Sequence, residues 1–159
     1  MQLLISDSNI FIDMEVSKLT QKMFELPYQF AVPDILYYEE LDEEHDNLLE
    51  YGLEMKKLSP ESISYVDTTL YQYSKIGFYD KLALATAKQE GCPLVTGDGA
   101  LRKAGKNEAV IIFGTVWLID ELIIHSIITV DEAKEAYDLM KENGRRLPWK
   151  VIDERFDNR

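Results

Sequence analysis

The sequence predicts an α/β protein of three layers, a short parallel sheet covered by helices on both faces. Three observations carry this expectation. The strand-like runs are short and continuously apolar: Leu3-Leu4-Ile5, Phe30-Ala31-Val32, Leu94-Val95-Thr96 and Val110-Ile111-Ile112-Phe113. Continuous rather than alternating runs mark strands buried on both faces. Segments of helical spacing separate them, which is how parallel strands are joined. Finally, the 159 residues are 46% hydrophobic and 11% aromatic. A single domain of that size buries about 70% of its unfolded-chain surface, enough for a packed core.

Each element has its own justification. Leu3-Leu4-Ile5 stops at Ser6-Asp7 and reads as a buried first strand. From Ser8 to Leu19, apolar residues at Ile10, Phe11 and Met14 predict a helical segment. Phe30-Ala31-Val32 is a second strand, closed by Pro33. Asp34 can cap the helix that follows, and Ile35, Leu36, Leu41, Leu48, Leu49 and Leu53 give it an apolar stripe. Ser59 caps the next helix, with Pro60 at its first position and Ile63, Val66, Leu70 and Tyr73 continuing it. Phe78 to Glu90 is rich in Ala and Leu and ends at Gly91 and Pro93. After the strand Leu94–Thr96, Asp98-Gly99-Ala100-Leu101-Arg102 begins a helical turn. Val110–Phe113 is the last strand, followed by a helix from Thr115 to His125. Thr129 and Glu132 stand at capping-box spacing ahead of a helix that ends at Gly144. The tail from Arg145 to Arg159 is a short helix or an arm. Residues 1–125 then form the main body, and 126–159 a C-terminal helical extension of the same domain. There is no repeat, low-complexity tract or Gly/Ser linker.

The formal net charge is −12, which taken alone argues against nucleic-acid partners, since phosphate contacts want Lys and Arg. Its distribution changes that reading. Residues 1–74 hold 15 acids and 4 bases, whereas residues 75–159 hold 14 acids and 13 bases. Residues 34–54 carry nine acids (Asp34, Glu39, Glu40, Asp42, Glu43, Glu44, Asp46, Glu50, Glu54) and no Lys or Arg, and are expected to face away from any anionic substrate. Bases gather at Arg102, Lys103 and Lys106, and at Arg145, Arg146 and Lys150. No apolar run approaches the ~20 residues of a membrane span, so no membrane partner is expected. The first residues meet an acid at once and lack a basic leader, so no signal peptide is expected. The single cysteine, Cys92, fits a reducing, cytoplasmic compartment.

Parallel sheets of this kind bind ligands at the carboxyl ends of their strands, and that rule selects particular acids. Asp7 follows the first strand directly, and Asp98 follows Leu94–Thr96 after one Gly. Asp80 lies among apolar neighbours at the start of the Ala-rich helix, and Glu39 on the first turns after Val32-Pro33. Taken singly, each has a plainer role. Asp7 and Asp98 can be loop residues or helix caps, Asp80 can answer a helix dipole, and Glu39 has Glu40 and Glu43 as neighbours. Taken together, four converging carboxylates need protons or a cation to compensate them. An all-oxygen donor set suits Mg²⁺ or Mn²⁺ rather than zinc.

In these residues the sequence resembles the PIN-domain family of metal-dependent nucleases, and within it the VapC-like toxin nucleases of prokaryotes. Leu4-Ile5-Ser6-Asp7-Ser8-Asn9 resembles the family's first motif, a strand ending in Asp. Val32-Pro33-Asp34-Ile35-Leu36-Tyr37-Tyr38-Glu39-Glu40-Leu41 is similar to the second, Tyr79-Asp80-Lys81-Leu82-Ala83 to the third, and Thr96-Gly97-Asp98 to the fourth. Phe113-Gly114-Thr115 resembles the Gly-Thr after the last strand, and the resemblance covers about residues 3–125. Spacing from Pro33 favours Glu39 in the second motif, and the Glu-Leu pair favours Glu40. Glu39 is the preferred residue and Glu40 the alternative. Gly77 stands where many relatives have Ser or Thr, and as an acceptable N-cap it should matter little.

The resemblance implies a PIN-like domain that hydrolyses phosphodiesters, most often in RNA, with Mg²⁺ or Mn²⁺ held by Asp7, Glu39, Asp80 and Asp98. Ser8, Asn9 and Thr96 would orient those carboxylates or a water, and Lys81, Arg102, Lys103 and Lys106 could hold flanking phosphates. It further implies a toxin with an antitoxin partner and, by analogy with relatives, a homodimer. The alternative is an inactive PIN-like protein-binding module. Other chemistries fare worse. His45 and His125 are isolated, and Cys92 reads as a packing residue. Asp13 and Asp120 fall inside helices and read as non-ligands. There is no Gly-rich nucleotide motif, and no Lys after the last strand to suggest a receiver domain.

Overall fold

The computed structural model describes residues 1–42 and 47–157. Glu43, Glu44 and Asp46 of the acidic stretch, and the expectation for His45, lie outside the described residues. In chain order the elements are β1 (Gln2–Ser6), α1 (Ser8–Val16), α2 (Thr20–Met23), β2 (Tyr28–Pro33), α3 (Asp34–Leu36), a π-helical turn (Tyr37–Leu41), α4 (Asn47–Tyr51) and β3 (Glu54–Lys56). They continue with α5 (Pro60–Thr68), a 3₁₀ turn (Leu70–Gln72), α6 (Phe78–Glu90), β4 (Leu94–Val95), α7 (Gly99–Asn107), β5 (Ile112–Phe113), α8 (Thr115–Ile124), α9 (Val130–Glu142) and α10 (Trp149–Asp157).

The five strands form one sheet in the order β3-β2-β1-β4-β5. Every pairing is parallel, with Leu4 opposite Phe30, Ser6 opposite Val95, and Val95 opposite Phe113. Successive strand residues point to opposite faces. Leu4 and Ile5, Ala31 and Val32, and Leu94 and Val95 are all within 1% of full burial. Both faces are therefore covered, which is why these strands read as continuous apolar runs. The strand order reverses at β1, which pairs with β2 on one side and β4 on the other. A crevice opens outside the carboxyl ends of strands at such a switch point.

Local chemistry explains the element ends. Ser59 accepts from the Ser62 amide at 3.1 Å with Pro60 in the first turn of α5, and the Thr129–Glu132 capping box of α9 is closed in both directions. Gly91 ends α6 in the left-handed conformation (φ 63). Gly77 is the α6 N-cap in an extended conformation, without a side-chain cap bond. Three departures stand out. The third strand, Glu-Met-Lys, was not expected because a three-residue edge strand with two charged residues has no apolar run. Of the helix expected from Asp34 to Leu53, the described residues show α3 passing directly into the π turn, and α4 ending at Tyr51. The segment expected to be one helix from Ser8 to Leu19 ends at Val16, where Lys18 takes a positive φ before α2 begins. Among the described residues no helix is long and apolar enough to cross a membrane.

Candidate active site

The switch point places Asp7 directly after β1 and Thr96, Gly97 and Asp98 directly after β4. Asp7 is fully buried. Its Oδ1 accepts from the Ile10 amide at 3.1 Å, which makes it the N-cap of α1, and its Oδ2 accepts a short hydrogen bond from the Thr96 hydroxyl. The Thr96 hydroxyl oxygen in turn accepts from the Asp98 amide at 3.1 Å, and Asp98 Oδ1 accepts from the Leu101 amide at 2.9 Å as the N-cap of α7. Helix capping and site geometry are thus the same set of bonds: each acid caps a helix whose N-terminus opens on the crevice.

Burial pushes the Asp7 carboxyl up to about 7; the Thr96 bond pulls it down, and the charges of Asp80 and Asp13 push it up again. Asp80, in the first turn of α6, is pushed up to about 6 by burial and by the charges of Glu40 and Asp98. Glu40 is raised by partial burial and lowered by a hydrogen bond from Ser8. Asp80 therefore ties Asp7, Glu40 and Asp98 into one group: the charges of Glu40 and Asp98 raise its carboxyl, and its own charge raises that of Asp7.

Glu39 is not brought into that group. It is exposed and without a hydrogen bond or ion pair among the described residues. Both glutamates lie on the π turn, in which the Asp42 amide donates to the Tyr37 carbonyl five residues back at 2.9 Å, and both are exposed. It is the charge of Glu40 that acts on Asp80. The acidic stretch also does not face wholly away from the crevice, because Glu40 belongs to it.

Beside Asp98 lies a cleft of about 390 Å³ lined by Asn9, Asp13, Gly97, Asp98, Gly99, Gly144, Arg145 and Arg146. Asp13 is 4% exposed and fully engaged: Arg145 Nε donates to its Oδ1 at 2.6 Å and the Thr115 hydroxyl to its Oδ2 at 2.8 Å. Arg145 Nη2 also reaches the Asn9 carbonyl and side-chain oxygens at 3.4 and 3.5 Å. A buried acid with such partners is a structural ion pair, in keeping with its place inside α1. Arg145 and Arg146 were legible only as a basic cluster. The turn that brings them here depends on Gly144, whose φ is 71. Of the bases expected to meet phosphates, Arg102 lies over Gly114, and Lys103 lines a separate cleft with Lys75. His125 is exposed, near Glu121. Burial pushes the Cys92 thiol up to about 11, which leaves it a packing residue.

The donor chemistry of Asp7, Glu40, Asp80 and Asp98 fits a hard divalent cation: all oxygen, mutually repelling, with no Lys or Arg among the groups that shift Asp7 or Asp80. Among the described residues, no three His, Cys, Asp or Glu side chains are close enough as they stand to enclose an ion. Closure around a cation would require the ligands to draw in.

A family model described as DUF3368, a PIN domain, matches residues 3–158. Among solved structures, the chain is similar to a PilT N-terminus domain protein from the hyperthermophilic archaeon Sulfolobus solfataricus P2. The two are 14% identical with a TM-score of 0.47, over 74% of this chain and 90% of that one. No curated protein matches the chain.

Proposed function

The chain belongs to the PIN-domain family, and on that premise we propose that it is a metal-dependent nuclease that hydrolyses RNA phosphodiesters. The observation that carries this reading is the electrostatic group Asp7, Glu40, Asp80 and Asp98 at the sheet's switch point. Carboxylates gathered at cost to their own ionisation are what a site for a cation and a phosphate requires. These four would hold Mg²⁺ or Mn²⁺. When bound, such an ion offsets charge on the scissile phosphate and makes hydroxide available near neutral pH.

The remaining roles belong to the chain itself. Thr96 fixes one oxygen of the Asp7 carboxylate and accepts from the Asp98 backbone amide, so one hydroxyl ties the ends of β1 and β4 together. Ser8 holds Glu40. Asn9 stands at the cleft wall beside Asp98, where its side chain can position a phosphate oxygen or a water. No nucleophilic side chain is needed, because water attacks phosphorus and the departing sugar oxygen takes the electron pair.

The narrower form of the proposal is a toxin nuclease that acts in the cytoplasm, with an antitoxin partner and a homodimeric assembly. A second reading, a protein-binding PIN module without activity, is favoured by one observation, that no three acids close around an ion as they stand. One experiment separates the two readings. Purified protein is incubated with single-stranded RNA and Mn²⁺ or Mg²⁺, next to Asp7→Asn and Asp98→Asn. Asn keeps the cap bond and removes the charge. Cleavage by the parent that falls at least ~100-fold in both variants is expected. An unmutated protein inert on RNA and on single-stranded DNA with either metal leaves the binding module standing.

A further inference from the structure

Two arginines outside the acid group converge on one groove. Beyond Gly97, the cleft beside Asp98 continues into a second of about 370 Å³, lined by Arg102, Phe113, Trp117, Arg146, Leu147 and Pro148, among others. Gly97 and Arg146 line both clefts, so the two adjoin between Asp98 and the end of β5. The lining is of two kinds. Arg102 and Arg146 are basic, and neither has an ion-pair partner among the described residues. Phe113 and Trp117, stacked at 4.1 Å with 7° between their planes, are apolar, as are Leu147 and Pro148.

The two arginines are placed by separate devices. Arg102 crosses Gly114 so closely that a Cβ there would come within 2.5 Å of its Nη1. The absence of a side chain at position 114 is therefore what lets the guanidinium enter the groove. Arg146 follows Arg145, whose bond to the buried Asp13 pins the chain after α9 against the site. The outcome is a positive, partly apolar channel that begins at the acid group of a protein with a net charge of −12.

We propose that this groove seats the single-stranded RNA segment next to the scissile phosphate. Arg102 and Arg146 take its phosphate, and the apolar wall takes the adjoining base. Guanidinium groups suit phosphate oxygens, and apolar or aromatic walls take bases without regard to sequence. The proposal rests on the nuclease reading for the identity of the polymer, and its test is independent of cleavage.

The test measures fluorescence anisotropy of a labelled mixed-sequence RNA of about ten nucleotides in EDTA, where nothing is cut. The proteins are the parent, Arg102→Ala/Arg146→Ala, and Lys22→Ala/Lys134→Ala, whose lysines pair with Glu132 and Phe156 away from the groove. Thermal melts show that each is folded. The arginine pair is expected to lower affinity about tenfold. It should also flatten the slope of log Kd against log salt by ~0.7, since the pair takes one phosphate and each single-strand phosphate contact contributes ~0.7. The lysine pair should bind as the parent does. Equal affinity in parent and arginine variant, no binding by the parent, or an equal loss in the lysine variant overturns the proposal. If the arginines matter for binding but no metal supports cleavage, the groove stands and the nuclease reading falls. If RNA is cut but the arginine variant binds like the parent, the groove falls alone.

Discussion

Asp7 has each carboxylate oxygen engaged before any ligand arrives, Oδ1 by the Ile10 amide and Oδ2 by Thr96. The positions of Asp7, Thr96 and Asp98 at this scale were legible, because they follow apolar runs that are strands, and a strand end is readable from the run itself. The two roles open to Asp7 and Asp98, cap or site acid, are both consistent with their bonds, because an acid at a strand end that starts a helix caps it. The π turn that carries Glu39 and Glu40 was not legible, since no residue spacing announces its bond from Asp42 to Tyr37. The choice between the two glutamates can be checked directly. Glu40→Gln is expected to lower metal-dependent cleavage ~100-fold, and Glu39→Gln to leave it within about threefold, measured as initial rates on one RNA. The reverse ranking would return the role to Glu39.

Elements differ in how plainly they announce themselves. α6 matches its expected range end to end because Ala and Leu fill it and Gly91 stops it. β3 escaped notice for the opposite reason, as its pairing to Val32 and Pro33 comes from its place in the sheet and not from its own residues. The turn after α9 is intermediate. Gly144 was visible as a stop, but where the turn sends the chain was not. The Arg145 amide donates to the Met140 carbonyl at 2.9 Å and the Gly144 amide to the Lys141 carbonyl at 3.1 Å, around a φ of 71 at Gly144. These bonds close the helix end and deliver Arg145 to Asp13. Gly144→Ala is therefore expected to cost about 1 kcal/mol, seen as a fall of ~2–4 °C in Tm. Gly77→Ser, at a helix start that needs no positive φ, should be neutral or slightly stabilising in the same melt. A Gly144→Ala protein as stable as its parent would mean that the turn can be made another way.

For the molecule as a whole, the acid group sets a pH dependence. Unfolded, an Asp titrates near ~3.9; folded, Asp7 and Asp80 are pushed up to about 7 and about 6. Between these limits the native chain holds more protons than the unfolded one, so stability falls as pH rises. The lowered carboxyls of Glu108 and Glu132 act with opposite sign, but below the ordinary glutamate range and outside this window. In EDTA, Tm is expected to decline from about pH 4.5 to about pH 7.5, less so in Asp7→Asn. Mn²⁺ should raise Tm at pH 7.5 in the parent and much less in the variant. A flat or rising Tm across that range would mean that the acids are compensated within the protein itself. The fold class was legible at this scale because burial on both sheet faces writes itself into the strands. The net charge says less, because a whole-chain sum cannot show that some of the acids are gathered near Asp80 while Arg102 and Arg146 line a cleft beside Gly97.

The double duty of Asp7 bears on how this chain can change over generations. Folding asks position 7 for a side-chain oxygen that accepts from the Ile10 amide and for a polar partner to the Thr96 hydroxyl; Asn supplies the first as well as Asp does, and its amide can meet the second. The negative charge makes the molecule less stable at neutral pH. In a lineage released from its task, replacement of Asp7 by Asn needs one step, keeps the helix start and gains stability, so it should spread early. Descendants with Asn at position 7 would then be sturdier and inert, and the state of that single position would date the loss.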